Sequence, residues 1–265
     1  MLIFLKLGGS LITNKDLPNT ARQLVLNRIA GEISNALQHD KQIKLLIGHG
    51  SGSFGHVAGK KYGTRKGVHS KHQWNGFIKV WKAARDLNQI VLEELLKSGL
   101  NAISIPPSAF ITTTNQELKT WNPQPIQAAL DADLIPLVQG DVIFDDQLGG
   151  TILSTEEIFK LLAPQLKPER ILIAGQDEGV WSDYPQCHQL ISEIHTENYD
   201  ELHPLIGGSS STDVTGGMAE KVRSMISLVD TLPTTEVLIF SGAQAQNIFK
   251  TLSGTRIGTL IKKNR

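Results

Sequence analysis

The chain has 265 residues, 26 basic against 26 acidic side chains, a formal net charge of zero and 40% hydrophobic residues. That length buries a substantial core in one large domain or two fused lobes, and that apolar share excludes general disorder. The charge balance excludes the basic excess of a dedicated nucleic-acid binder, no apolar run approaches the roughly 18 residues of a membrane span, and Cys187, the single cysteine, excludes an intrachain disulfide framework.

Residues 2–7 are apolar on nearly every position and end at Gly8-Gly9, which predicts a strand. The same start lacks the basic head and long apolar stretch of a secretory signal, and with the lone cysteine this predicts a reducing cytoplasm. Residues 20–38 place Leu24, Ile29, Ile33 and Leu37 near a 3.6 period, a helix; residues 43–47 form an apolar run ending at Gly48, a strand. Residues 73–97 repeat apolar side chains at Phe77, Val80, Trp81, Ala84, Leu87, Val91, Leu92 and Leu95, a helix with Gly99 as its C-terminal cap. Residues 110–114, 134–138, 142–145 and 151–153 are short strand candidates, expected as hairpins near a sheet edge because Asp145-Asp146 and Gly149-Gly150 read as turns. Residues 170–174 end at Gly175 and residues 236–240 at Ser241-Gly242, two more strands. Between them Met218, Val222, Met225, Ile226 and Val229 form a helical stripe assigned to the core. Consecutive apolar positions suit strands covered on both faces, so the alternation predicts an α/β fold with a mostly parallel sheet. The chain reads as a single domain, 1–265, with a soft division near residue 165 around Ala163-Pro164.

Four loops carry the chemistry. Lys6-Leu7-Gly8-Gly9-Ser10, with Lys15 a short loop away, reads either as a tight turn or as an anion cradle built from backbone N–H groups and lysines. His49-Gly50-Ser51-Gly52-Ser53-Phe54-Gly55-His56 contains a literal G-x-G-x-x-G. A dinucleotide fold should add a helix and an acidic residue about 20 positions on. Residues 57–63 read as poor helix material and no Asp or Glu occurs between His56 and Asp86, so the dinucleotide reading is rejected. His56 is then either a structural histidine or a donor to a phosphoryl oxygen, and His49, nearer the strand, is assigned to structure. Residues 207–217, rich in Gly and Ser before a helix, read as a phosphate loop or as a flexible one, with Lys221 one turn inside the helix. Asp177 follows a strand end, either a polar turn or a nucleotide contact.

Lys6 to Ser10 with Lys15, residues 49–56, Gly140-Asp141-Val142, residues 177–181 and residues 212–221 occur in the order seen in the amino acid kinase family. Ser53-Phe54-Gly55-His56 is similar to the branch of that family whose members phosphorylate isopentenyl phosphate or fosfomycin. The resemblance implies an open three-layer αβα sandwich, cytoplasmic and homodimeric, that phosphorylates a small anionic acceptor with ATP and Mg²⁺. It implies an acceptor-binding lobe of about residues 1–165 and a nucleotide-binding lobe of about 166–265. By position, Lys6, Leu7, Gly8, Gly9 and Gly52 would contact ATP phosphates. Ser51 and His56 would hold the acceptor phosphate with Gly50 and Gly150 nearby, and Asp177, Gly217 and Lys221 would bind nucleotide. No metal ligand of the protein's own is assigned. Lys15 and Lys221 would join Lys6 in neutralising the transferred group, which fits a reaction that needs alignment and charge compensation more than covalent help.

One pair of positions departs from the family pattern: Thr155-Glu156 stands where the resemblance implies Gly-Asp, so Glu156 takes the place of an aspartate that organises the lysines, with Asp141 the alternative organiser. The expected reaction is phosphorylation of isopentenyl phosphate to isopentenyl diphosphate. The alternatives are another small phosphate or phosphonate such as fosfomycin, and a non-catalytic anion-binding protein on the same fold. An isoprenoid tail requires an apolar cavity, expected from Phe77, Val80, Trp81 and Ile111.

Overall fold

In the computed structural model, residues 1–206 and 217–264 are described, the side chains of His56 and Val57 excepted. The first half runs β1 (Leu2–Leu7), α1 (Gly9–Ile12), α2 (Gln23–His39), β2 (Lys44–His49), α3 (Gly52–Tyr62), α4 (Lys71–Lys97) and β3 (Ala102–Ser104). The middle runs β4 (Ile111–Thr114), β5 (Glu117–Trp121), α5 (Gln124–Asp131), β6 (Ile135–Gln139), β7 (Asp141–Asp145), β8 (Gly149–Leu153) and α6 (Thr155–Leu166). The remainder runs β9 (Arg170–Gly175), β10 (Val180–Trp181), β11 (Leu190–Ile191), β12 (Glu193–His195), α7 (Tyr199–Leu202), α8 (Gly217–Thr231), β13 (Glu236–Ser241), α9 (Asn247–Leu252) and β14 (Thr259–Lys262).

The apolar runs become an eight-stranded sheet ordered β12-β14-β13-β9-β1-β2-β6-β3. Every neighbouring pair in it is parallel except β13–β14. Side chains alternate across a strand, so β1 feeds two cores. Ile3, Leu5 and Leu7 join Ile29, Ile33, Leu87 and Ile248 on the face covered by α2, α4 and α9. Phe4 joins Phe159, Leu162, Val222 and Met225 on the face covered by α6 and α8. The result is three layers, helix–sheet–helix. Lys6 has the same parity as Phe4, so its side chain belongs to the α6/α8 face. The 1–165 and 166–265 halves meet inside this one sheet, where β1 pairs with β9. No described helix is long and apolar enough to cross a membrane.

Three expectations change. Residues 134–138 are not a hairpin arm: β6 is an inner strand, parallel to β2 and β3. The turn residues around it concealed a crossover through α5, because the partners of a parallel strand are distant in sequence. Only 110–114, 142–145 and 151–153 leave the main sheet, forming a second one ordered β5-β4-β7-β8 with the expected β7–β8 hairpin. The polar β5 carried no apolar pattern to reveal it. Finally, residues 52–62 are helical despite Gly55 and Gly59. Tertiary contacts override the low propensity here: Phe54 is buried, Gly76 of α4 lets Tyr62 close to within 2.3 Å of where a Cβ would stand, and Gly63 caps the end at φ 62°. The dinucleotide reading is still rejected, on the missing acidic residue alone.

Candidate active site

Parallel strands bring their carboxyl ends to one edge, where ligands of open α/β sheets gather. Leu7 lies opposite both His49 and Ala174, and Ser241 opposite Gly175. The ladder runs one residue further: Gly8 N–H donates to Ala174 O at 2.8 Å, Gly50 N–H to Leu7 O at 3.0 Å, Gly140 N–H to His49 O at 3.0 Å and Gly242 N–H to Gly175 O at 2.9 Å. The glycine segments 8–9, 50–52, 140 and 175 are therefore neighbours along a single rim.

The first two touch backbone to backbone. A Cβ on Gly9 would stand 2.4 Å from the Gly52 nitrogen, and one on Gly50 would stand 2.9 Å from the Gly9 nitrogen. Only glycine permits that approach. Thr13, fully buried, clamps the pair: its hydroxyl donates to Gly9 O at 2.7 Å and accepts from Ser53 N–H at 3.0 Å. On the other side Gln176 Nε2 donates to Ser10 O at 2.7 Å. The sequence patterns pointed to neither Thr13 nor Gln176, since each acts through a contact that exists only after the strands align.

Lys6 is buried and its ammonium donates to Glu156 Oε1. Glu156 arrives there because α6 is fixed at its start. Ser154 and Glu157 form a reciprocal cap, and Thr155 Oγ1 donates to His49 O at 2.7 Å. Gly48, with no Cβ, admits Thr155 and Phe159. Burial pushes the Glu156 carboxyl up, but the charges of Lys6 and Lys221 and the Lys6 hydrogen bond outweigh it and hold the group below its ordinary value. Lys15 is lowered by partial burial; the charges of Arg22 and Lys221 act in the same direction and those of Asp177 and Asp16 against it. Glu156 and Lys15 thus both sense Lys221, and Lys6, Lys15, Lys221, Glu156 and Asp177 share one electrostatic neighbourhood. Gly217 opens α8, which carries Lys221. Arg22, at the start of α2, is a further cation of this neighbourhood that the sequence patterns did not single out.

Asp141 stands apart from the lysines. Its carboxylate accepts from Ser108 Oγ at 2.9 Å and from Val142 N–H at 2.8 Å, and the charge it senses is that of Arg85. Burial pushes it up to about 6, against those hydrogen bonds. A raised carboxyl pKa means that the folded chain holds the proton more tightly than the unfolded one. This contribution to stability is present below about pH 4 and is lost as pH rises through about 6. Asp141→Asn is therefore expected to match the parent near pH 4 and to exceed its stability at pH 7 by about 1–3 kcal/mol. Urea denaturation of both proteins between those pH values measures the difference; a constant offset would remove Asp141 as its source.

His49 is a structural residue. Its Nδ1–H donates to Gly50 O at 3.1 Å, its Nε2 accepts from Asn88 Nδ2 at 3.1 Å, and Ser104 Oγ donates to Asn88 Oδ1 at 2.6 Å. Complete burial lowers its pKa to about 4, so the ring is neutral. Asp145, read from sequence as a turn residue, has a larger part: its carboxylate accepts from the N–H groups of Asn115, Gln116, Gln147 and Leu148 and from the Thr113 hydroxyl. It ties the β4–β5 turn to the β7–β8 turn.

Gly150 lies on β8 away from the glycine rim, with Phe77 2.8 Å from where its Cβ would stand. Phe77, Val80, Val68 and Val142 form a small apolar cluster, joined at its margin by Trp74, Trp81 and Ile152. Three of the four expected tail residues are thus together. Ile111 is the exception, because β4 turns it into the core of Phe4 and Phe159. Ser51 precedes α3, its hydroxyl 2.5 Å from where a Cβ on Gly55 would stand. The backbone of His56 lies in the second turn of α3; its side chain, and the expected phosphate loop at residues 207–216, lie outside the described residues.

The sequence profile of the amino acid kinase family matches residues 1–241. The isopentenyl phosphate kinase of Methanocaldococcus jannaschii is 34% identical to the chain, covering 98% of each. That of Methanothermobacter thermautotrophicus is 32% identical, again over 98% of each. A solved structure of isopentenyl phosphate kinase superposes with a TM-score of 0.83 at 29% identity, covering 99% of this chain and 100% of the other.

Proposed function

This chain belongs to the amino acid kinase family, and we propose that it transfers the γ-phosphoryl group of ATP to the phosphate of isopentenyl phosphate. An acceptor oxygen attacks the γ-phosphorus, the bond to the bridging oxygen breaks, and ADP leaves with its electron pair. The products are ADP and isopentenyl diphosphate. The observation that carries this reading is the Lys6–Glu156 pair within the field of Lys221, at the rim where Gly9 and Gly52 meet.

Two phosphorylated reactants repel each other, so cations and backbone N–H groups must surround the transferred group. Lys6, Lys15 and Lys221 supply that charge, and the glycine segments supply close main-chain approach. The acceptor phosphate is already ionised and needs no general base. Ser51 and His56 on the acceptor side orient it, with Gly50 beside them; Leu7, Gly8, Gly9 and Gly52 border the nucleotide phosphates, and Asp177 and Gly217 the rest of the nucleotide. Among the described residues no group of three or more His, Cys, Asp or Glu could hold a metal ion. Mg²⁺ belongs in this reading with the ATP phosphates, whose charge it would partly neutralise. The halves on either side of residue 165 divide as acceptor and nucleotide lobes. A homodimer in a reducing cytoplasm completes the reading, in keeping with a single cysteine.

The cluster of Phe77, Val80, Trp74 and Trp81 beside Gly150 favours an acceptor with an apolar tail over a compact phosphonate. ADP release, followed with isopentenyl phosphate, with fosfomycin and with no acceptor, tests the assignment. Turnover strongly favouring the first is expected; none with any acceptor would leave only an anion-binding protein.

His56→Ala is expected to raise the acceptor KM. Loss of one charge-assisted hydrogen bond costs about 1.5–3 kcal/mol, or roughly ten- to 150-fold. Steady-state kinetics with acceptor varied at saturating ATP measures it. Unchanged KM and kcat would take His56 out of the acceptor site.

A further inference from the structure

The turn that follows β13 runs along the nucleotide side of the rim. Gly242 N–H donates to Gly175 O at 2.9 Å, Ser241 Oγ to Gln176 O at 3.1 Å and Gln244 Nε2 to Glu178 Oε1 at 3.0 Å. Leu11 of α1 stands 2.7 Å from where a Cβ on Gly242 would be. The turn is therefore in contact with the segment that carries Asp177 and with the helix that follows Gly8-Gly9.

One ion pair on α2 holds this turn from behind. Arg28 donates to Gly242 O at 2.6 Å, Ala243 O at 3.2 Å and Gln244 O at 3.3 Å, and to Glu32 Oε1 at 2.6 Å. Glu32 is 3% exposed, on the apolar side of α2. It accepts from the N–H groups of Gln246 at 3.0 Å, Ile248 at 3.0 Å and Phe249 at 3.3 Å. The cation thus takes the open carbonyls of the turn and the anion takes the open N–H groups at the start of α9. Six polar groups of one turn and one helix start are fixed by two adjacent side chains. A buried ion pair is a weak source of net stability compared with apolar packing, and its use lies in imposing one geometry. The acceptor elements are held by other bonds, Thr13 to Ser53 in α3 and Thr151 of β8 to the Arg65 carbonyl.

We propose that Arg28 and Glu32 are positioning residues for nucleotide binding, fixing the turn after β13 so that the Asp177 segment and α1 keep the spacing that ATP requires. The proposal rests on the kinase reading above. Its test is calorimetric titration of the purified full-length protein and of Arg28→Lys and Glu32→Gln with Mg-ATP and, separately, with isopentenyl phosphate, alongside thermal melts. Lysine keeps the charge but not the planar fork that reaches three carbonyls and a carboxylate together. Arg28→Lys is expected to weaken ATP binding about tenfold or more while the isopentenyl phosphate Kd stays within about twofold. Glu32→Gln should show the same split, and Arg28→Lys alone suffices if the glutamine variant does not fold. Equal ATP affinity in Arg28→Lys and the parent protein would overturn the proposal. So would an equal loss for both ligands accompanying a lower Tm, which marks a purely structural pair. A parent protein that binds no ATP would overturn the kinase reading and the proposal with it, and that outcome is visible without any variant.

Discussion

Lys6→Ala is expected to lower kcat by about 10²-fold or more, and Lys221→Ala to do the same. Both ammonium groups act on one carboxylate: Lys6 through a hydrogen bond, Lys221 through its charge. In the transition state the equatorial oxygens of the transferring group carry the charge, and a buried cation acts there with little screening from water. Lys6 is well placed for that because β1 turns it to the α6/α8 face, beside the glycine rim. Its removal also leaves Glu156 buried with one partner fewer, so some loss of stability should accompany the loss of turnover. Saturating-substrate kinetics below the melting transition separates the two. Near-normal turnover in both variants would dismiss the charge clamp.

Glu156→Gln is expected to lower kcat by roughly tenfold to 10²-fold with the fold intact. The amide keeps the size of the side chain and an acceptor for Lys6, but loses the charge that aligns two lysines. Glu156→Asp is expected to lose activity as well, although aspartate is the family's usual residue. The start of α6 is pinned by the Ser154–Glu157 cap and by the Thr155 bond to His49 O, so the backbone does not advance to make good the missing methylene. A gain of activity in the aspartate variant would show that α6 is not pinned. The pair also sets a pH dependence. The folded pKa of Glu156 is depressed, so its stabilising contribution is present above the ordinary carboxylate range and is lost as pH falls through the depressed value. Glu156→Gln should lose that acid-side component while retaining the opposite-signed one from Asp141.

How much of this was legible before the fold was known follows from the range of each interaction. β1, β2, β9 and β13 were readable because consecutive apolar residues ending in glycine need only local information. So was α4, whose long periodic stripe ends at Gly99. The lysines were found as members of an ordered set, and Glu156 as the exception within it. β6 was misplaced and α3 underrated because one depends on distant parallel partners and the other on Tyr62 packing against Gly76. Thr13 and the Arg28–Glu32 pair carry no signal in the sequence, and Asp145 reads there only as a turn residue, because each gains its meaning from main-chain groups far away in sequence. Ile111 is expected in the tail cavity, but the register of β4 places it in the core of Phe4 and Phe159, and no local pattern reports that register.

The contact between Gly9 and Gly50 works as a ruler. One belongs to the segment expected to hold the donor phosphates, the other is expected beside the acceptor, and their separation is set by main chain against main chain. A side chain introduced at either would force the two apart, and no compensating trim exists on the other, since neither has anything left to remove. The span of the transfer is thereby closed to adjustment by stepwise substitution, whereas the aromatic cluster around Phe77 is built from side chains, which substitution can reshape. A lineage carrying this arrangement can change what it phosphorylates far more readily than how far the phosphoryl group travels.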